Sequence, residues 1–254
     1  MRGAGTGVVP ACEDAGAMEL GLGGKVALVT ASSKGLGFAT AKALVQEGAR
    51  VAICARDPAR LAAAAGKLGG DVLAIRADVT DADAPARLVA ATVERFGGLD
   101  VLVANAGGPP PARALDVTDE QLAAAINANL LTSIRLVRAA VPRLRAAAGG
   151  RICLIASSAV KQPIPTLALS NTARTGLWAW AKTAAQDLVA DDITLNLACP
   201  GLHATDRVTQ LGSTGRLGDP DDFGRVVAFL CSAPAAFVNG AALLVDGGAT
   251  LGLL

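Results

Sequence analysis

The sequence predicts an α/β fold in which helices cover both faces of one seven-stranded, parallel, doubly wound sheet. Three observations predict it: short unbroken apolar runs alternate with helix-length segments, a glycine-containing turn directly follows the first run, and no linker-like stretch occurs after residue 20. Strands buried on both faces must be apolar throughout, whereas half-exposed strands alternate. A chain of 254 residues suits one such domain.

The first strand is KVALVT at residues 25–30, and a helix follows over about 36–47. Gly48 stands where a helix C-terminus favours a left-handed residue, and the second strand covers 51–54. Pro58 opens the next helix, because its missing N–H and fixed φ suit a first turn. Strand 72–75, helix 81–96 and strand 100–104 continue the alternation. A long helix over about 118–148 precedes strand 151–156, and a helix over about 170–190 precedes strand 194–198. A helix near 219–232 and strand 242–245 complete the set. Right-handed crossovers between parallel strands then give the order 3-2-1-4-5-6-7.

Residues 1–20 are expected to be a disordered extension before a domain spanning 21–254. No apolar stretch follows Arg2, which excludes an ordinary secretory signal, and Met18 lies just before the first strand as a second start. Composition excludes other classes. Apolar residues make up 52%, yet no run reaches the roughly 18 residues of a membrane span. The net charge is +1 with no basic cluster, so neither nucleic acid nor an anionic membrane is an expected partner. Cys12, Cys54, Cys153, Cys199 and Cys231 are scattered, without metal or disulfide spacing, and read as reduced residues of a cytoplasmic protein. A small-molecule ligand is the expectation.

The first turn reads Thr30-Ala31-Ser32-Ser33-Lys34-Gly35-Leu36-Gly37. Glycines there permit close backbone approach, and the new helix offers N–H groups to a pyrophosphate. The turn resembles the TGxxxGxG motif of the classical short-chain dehydrogenase/reductases, with Ala31 for the first glycine, a mild departure if its φ is negative. Asn105-Ala106-Gly107 resembles the family's NNAG, with Ala104 for the first Asn. Asp78-Val79 resembles its adenine-contacting pair, Pro200-Gly201 with Thr205 its nicotinamide segment, and Asp246-Gly247-Gly248 its C-terminal turn. The resemblance spans residues 25–248 and implies a Rossmann-type domain, a nicotinamide cofactor and a homotetramer or homodimer. At the end of the second strand, Cys54, Ala55 and Arg56 supply no carboxylate for a ribose hydroxyl, and Arg56 with Lys34 suits the 2′-phosphate of NADP(H). The bland reading is two solvated cations beside Asp57 and Asp78.

The resemblance also implies a catalytic set. Asn129 follows Asn105 by 24 residues and Ser157 follows Asn129 by 28, as the family's Asn and Ser do. Where the family has YxxxK, this chain has Ser170-Asn171-Thr172-Ala173-Arg174, and it contains no tyrosine at all. It is similar in this to a 3-oxoacyl-reductase-like subset that also lacks the tyrosine. Spacing four puts Ser170 and Arg174 on one helix face. An alcohol is far less acidic than a phenol, and arginine keeps its protons, so the general acid must be replaced. Lys161, His203 or a water held by Asn129 are the candidate donors. An iminium or quinone substrate would need none, and a non-redox enzyme or partner subunit would need no hydride chemistry. Ser170 also reads as a helix N-cap, His203 as a satisfied loop residue, and Trp178 and Trp180 as packing. About a dozen residues follow Thr205 before the next helix, so the lid is short and suits a large or carrier-bound substrate and a partner protein equally.

Overall fold

A computed structural model describes residues 18–147, 149–212 and 215–253. Its apolar runs form β1 (Val26–Val29), β2 (Arg50–Ala55), β3 (Val72–Arg76), β4 (Val101–Ala104), β5 (Arg151–Ile155), β6 (Thr194–Pro200) and β7 (Ala242–Val245). All pairings are parallel, in the order β3-β2-β1-β4-β5-β6-β7. The helices are α1 (Gly35–Gln46), α2 (Pro58–Leu68), α3 (Ala84–Phe96), α4 (Asp119–Ile126), α5 (Thr132–Ala146), α6 (Ala168–Asp187), α7 (Asp206–Gln210) and α8 (Pro220–Leu230).

Side chains alternate across the sheet and divide the interior into two cores. From β1, Ala27 and Val29 join Leu44 of α1, Leu61 of α2 and Phe223 of α8, while Val26 and Leu28 join Leu88 of α3, Leu136 of α5 and Leu177 of α6. Helices α1 and α8 pack closely because Gly224 has no side chain; a Cβ there would collide with the Ala39 carbonyl. Gly48 is left-handed at φ +80°, just past α1, as its position demanded.

Most bounds shift from the expectation by a few residues, and three of the differences are informative. Helix α3 begins at Ala84 rather than residue 81, since Pro85 belongs in a first turn and disfavours helix before it. Helix α6 begins at Ala168, with Leu167 at the N-cap position, so Ser170 sits inside the first turn and is not a cap. The helix expected over 118–148 is two helices joined by a π turn, Asn127–Leu131. The loop after β3 anchors this turn: Asn127 Nδ2 donates to the Thr80 carbonyl (3.3 Å), and Thr132 Oγ1 to the Val79 carbonyl (3.2 Å). One extra residue leaves the apolar period of each flank intact, so the pattern alone does not reveal it. The extension expected over 1–20 lies, up to residue 17, outside the described residues, as does residue 148. Among the described residues no helix is long and apolar enough to cross a membrane, and no group of His, Cys, Asp and Glu could hold a metal ion.

Candidate active site

The strand order reverses at β1, where the chain crosses from β3 back to β4, and a crevice opens beyond the carboxyl ends of β1 and β4. The cleft there measures about 1080 Å³. That is at the upper end of the roughly 300–1,000 Å³ typical of a small-ligand site, the size an extended ligand such as a dinucleotide needs.

The glycine turn forms one wall. Ser33, Lys34, Gly35 and Leu36 line the cleft, as do Asn105, Ala106 and Gly107 after β4. Thr30, Ser32 and Gly37 do not; they build the turn. Thr30 Oγ1 donates to the Asn105 carbonyl (2.7 Å) and accepts from its N–H (2.8 Å), stapling β1 to β4. Ser32 Oγ donates to the Val29 carbonyl (2.7 Å) and is fully buried. A Cβ on Gly37 would stand 2.6 Å from Asn105 Nδ2 and 2.7 Å from the Ala31 carbonyl. Gly35 and Gly107 have no side chain to fill the space that a diphosphate's oxygens need, which is the fit a dinucleotide requires.

Ala31 departs from the expectation: its φ is +47°, the left-handed region that glycine occupies freely. Asn105 Nδ2 donates to its carbonyl (3.0 Å) and holds it there. A left-handed L-residue costs about 1–2 kcal/mol, and glycine returns roughly 0.4–1 of that to the unfolded chain. Ala31→Gly is therefore expected to stabilise the protein by about 0.5–1 kcal/mol, raising Tm by roughly 1–4 °C. A thermal melt checks this, and an unchanged or lower Tm would contradict it.

Basic side chains gather at the far rim. Lys34 pairs with Asp206 (2.8 Å), Arg56 with Asp78 (3.7 Å) and Arg60 with Asp57 (3.4 Å), and all three cations line the cleft. Burial raises the Asp78 carboxyl, but hydrogen bonds from Thr80 and the charge of Arg56 outweigh it and hold it below the usual carboxylate range. Asp57 caps α2, accepting from the Arg60 N–H (3.0 Å). The sequence reading missed Arg60; its spacing of four from Arg56 was the available signal.

At the opposite end Asn129, Ser157, Ser170 and Arg174 come together on the cleft wall. The π turn carries Asn129, whose Nδ2 donates to the Ala125 carbonyl (3.4 Å) and whose buried Oδ1 has no partner. Ser157 Oγ accepts from the Ala159 N–H (3.1 Å), which leaves its own hydroxyl proton free to donate. Arg174 is held by the Ile155 carbonyl (2.7 Å) and more loosely by that of Ala106 (3.5 Å). Burial, opposed by Cys199 and reinforced by Arg207, pushes its guanidinium down to about 10, so it stays charged at neutral pH.

Two of the alternative donors fare poorly. Lys161 holds its ammonium 4.0 Å from the centre of the Trp178 ring and does not line the cleft. His203 reaches the cleft but is 5% exposed, edge-on to Phe223 and wedged against Gly218. The cysteines Cys54, Cys153, Cys199 and Cys231 are free and buried, and burial pushes Cys54 up to about 11. The Pro200-Gly201 turn must be bare, since a Cβ on Gly201 would stand 2.6 Å from that of Asp246. Thr205 roots the lid helix α7 against Gly35, and Asp246 holds the chain end so that Ala249 and Thr250 complete the wall.

The profile of a family described as enoyl-(acyl carrier protein) reductase matches residues 30–250. A dehydrogenase/reductase SDR family member 4 from Pongo abelii is 34% identical, with 89% of this chain and 88% of that protein covered. The chain belongs to the short-chain dehydrogenase/reductase family. L-sorbose reductase from Gluconobacter frateurii, solved with NADPH and L-sorbose, superposes on this member with a TM-score of 0.87 at 31% identity, covering 93% of this chain and all of that one. A short-chain oxidoreductase from Pseudomonas aeruginosa PAO1, described as containing an atypical catalytic center, gives 0.86 at 28% identity, covering 91% and 99%. Within this short-chain dehydrogenase/reductase the motif order is kept, and the tyrosine is absent.

Proposed function

We propose that this short-chain dehydrogenase/reductase is an NADPH-dependent reductase of a carbonyl or related electrophile, with water in place of the tyrosine as proton source. The observation that carries the reading is one continuous cleft, running from the cations Lys34, Arg56 and Arg60 to Ser157, Ser170 and Arg174. The cations suit a 2′-phosphate, and β2 ends in Cys54-Ala55 without a carboxylate for a bare ribose hydroxyl. When bound, NADPH supplies a hydride to the substrate carbon. Ser157 donates a hydrogen bond to the carbonyl oxygen, and the Arg174 charge stabilises the negative charge that develops there. Ser170 lines the cleft and is smaller than the tyrosine that its relatives carry there, which leaves room for a water. The buried Asn129 Oδ1, which has no partner, is the acceptor that would hold such a water, and the water gives its proton to the oxygen, yielding the alcohol and hydroxide. An iminium or a quinone, whose reduction needs no strong acid, fits the same groups.

Fluorescence titration with NADPH and NADH, then single-turnover mixing with ketones, imines and quinones, tests the reading. Tighter binding of NADPH and its oxidation by one class are expected. Binding without oxidation by any class would favour a non-redox or partner role, for which the missing acid is the supporting observation.

A further inference from the structure

The charges lining the cleft are one-sided. Its carboxylates, Asp57, Asp78 and Asp206, all sit at the cofactor rim, each beside a cation. Two guanidiniums line the same space, Arg174 at the opposite end and Arg207 beside Gly108 and Pro109 after β4, and among the described residues neither takes part in an ion pair.

Arg207 comes from the lid helix α7 and spans the cleft: its Nη2 donates to the Pro109 carbonyl. The guanidinium lies along the backbone before it, with Nη2, Nε and Cζ at 3.3, 3.4 and 3.5 Å from where a Cβ on Gly108 would stand. A side chain at 108 would crowd it out of this place. The charge of Arg207 is also felt by Arg174, whose protonation it opposes, so the two cations share one neighbourhood. One carbonyl satisfies only one of the five N–H donors of a guanidinium. Like charges gathered without a counter-ion, in a cleft walled by Pro110, Ile164, Leu167, Leu202 and Leu211, await an anion with an apolar body.

We infer that the substrate is an oxo acid, a carbonyl compound bearing a carboxylate, and that Arg207 is the residue that recognises the carboxylate. The planar fork of a guanidinium matches the two oxygens of a carboxylate. Arg174 remains with the reacting oxygen and the cofactor, while Arg207 sets specificity from the lid. The inference rests on the reductase reading for turnover, but not for binding.

The test compares pyruvate and levulinate with their methyl esters, in wild type, Arg207→Met and Arg207→Lys. For at least one pair, wild type is expected to prefer the acid by about 10–10²-fold in kcat/KM, the worth of a charge-assisted hydrogen bond. Arg207→Met should remove that preference through KM while leaving the ester rate and the Kd for NADPH within about twofold, and Arg207→Lys should restore part of it. Equal use of acid and ester by wild type would overturn the inference. So would a weaker NADPH Kd in Arg207→Met, which would assign Arg207 to the cofactor's diphosphate, or an equal fall for acid and ester. Calorimetric binding of hexanoate against hexanamide to the NADP⁺ complex separates the two readings. If no carbonyl is reduced, hexanoate binding that Arg207→Met abolishes still upholds the carboxylate site, and its absence in wild type refutes it.

Discussion

Replacing Ser170 by Tyr and Arg174 by Lys together is expected to raise the reduction of simple ketones by about 10²-fold, within the 10²–10⁴ that a positioned general acid contributes. Ser170 is the third residue of α6, 6% exposed, and its side chain already borders the cleft beside Arg174, one turn on. A tyrosine ring at that position enters the volume that the serine leaves open. A lysine four residues later presents a compact ammonium that lowers the phenol from its ordinary value near 10, where the larger guanidinium is instead tied to the Ile155 and Ala106 carbonyls. The pH profile distinguishes acid catalysis from mere repacking. Arg174 is pushed down to about 10 and is charged below that value, so between pH 6 and 9 it gives the wild type no titration, and its contribution falls only as pH climbs through about 10. The double variant depends on a protonated phenol, so its alkaline limb should move to lower pH. Ser170→Phe with Arg174→Lys fills the same space without a proton and should give no gain. If the phenylalanine variant matches the tyrosine variant, or neither exceeds wild type, water is not standing in for a missing acid.

What the sequence makes legible is what local chemistry decides. Residues 25–30 can only be a doubly buried strand, Gly48 and Pro58 announce a helix end and a helix start, and each is found as read. Asn129, Ser157 and the pair Ser170 and Arg174 come from separate segments yet meet on one wall, because the π turn and the segment after β5 both pack against α6. Three kinds of residue stay hidden. Ser32 looks like a ligand-facing serine, but its hydroxyl turns inward to the Val29 carbonyl, and no pattern records which way a turn residue points. Ala31 reads as a harmless substitution until its positive φ is seen, since the conformation is imposed by Asn105 from another strand. Arg207 belongs to a lid whose periodicity is too short to read, and only the fold brings it to Pro109, 98 residues away.

Arg56→Ala combined with Arg60→Ala is expected to weaken NADPH binding by about 10–100-fold while changing NADH binding far less, so that the cofactor preference narrows or reverses. Both side chains are well exposed, with Arg56 80% accessible, so each is discounted relative to a buried ion pair and two together are needed for a large effect. Removing them does more than delete attraction. Asp78 loses Arg56 and Asp57 loses Arg60, while the Thr80 hydroxyl and N–H still hold Asp78 ionised and the Arg60-position N–H still holds Asp57. Two carboxylates then face the rim without cations; they repel a phosphate and accept readily from a ribose hydroxyl. Lys34, tied to Asp206 at 2.8 Å, stays as the remaining cation and keeps NADPH binding measurable. Paired titrations at low and high salt check the electrostatic origin: the wild-type advantage for NADPH should shrink as ionic strength rises, and that dependence should be smaller in the double variant. Equal losses for both cofactors would mean that the arginines shape the β2–α2 turn rather than select the phosphate.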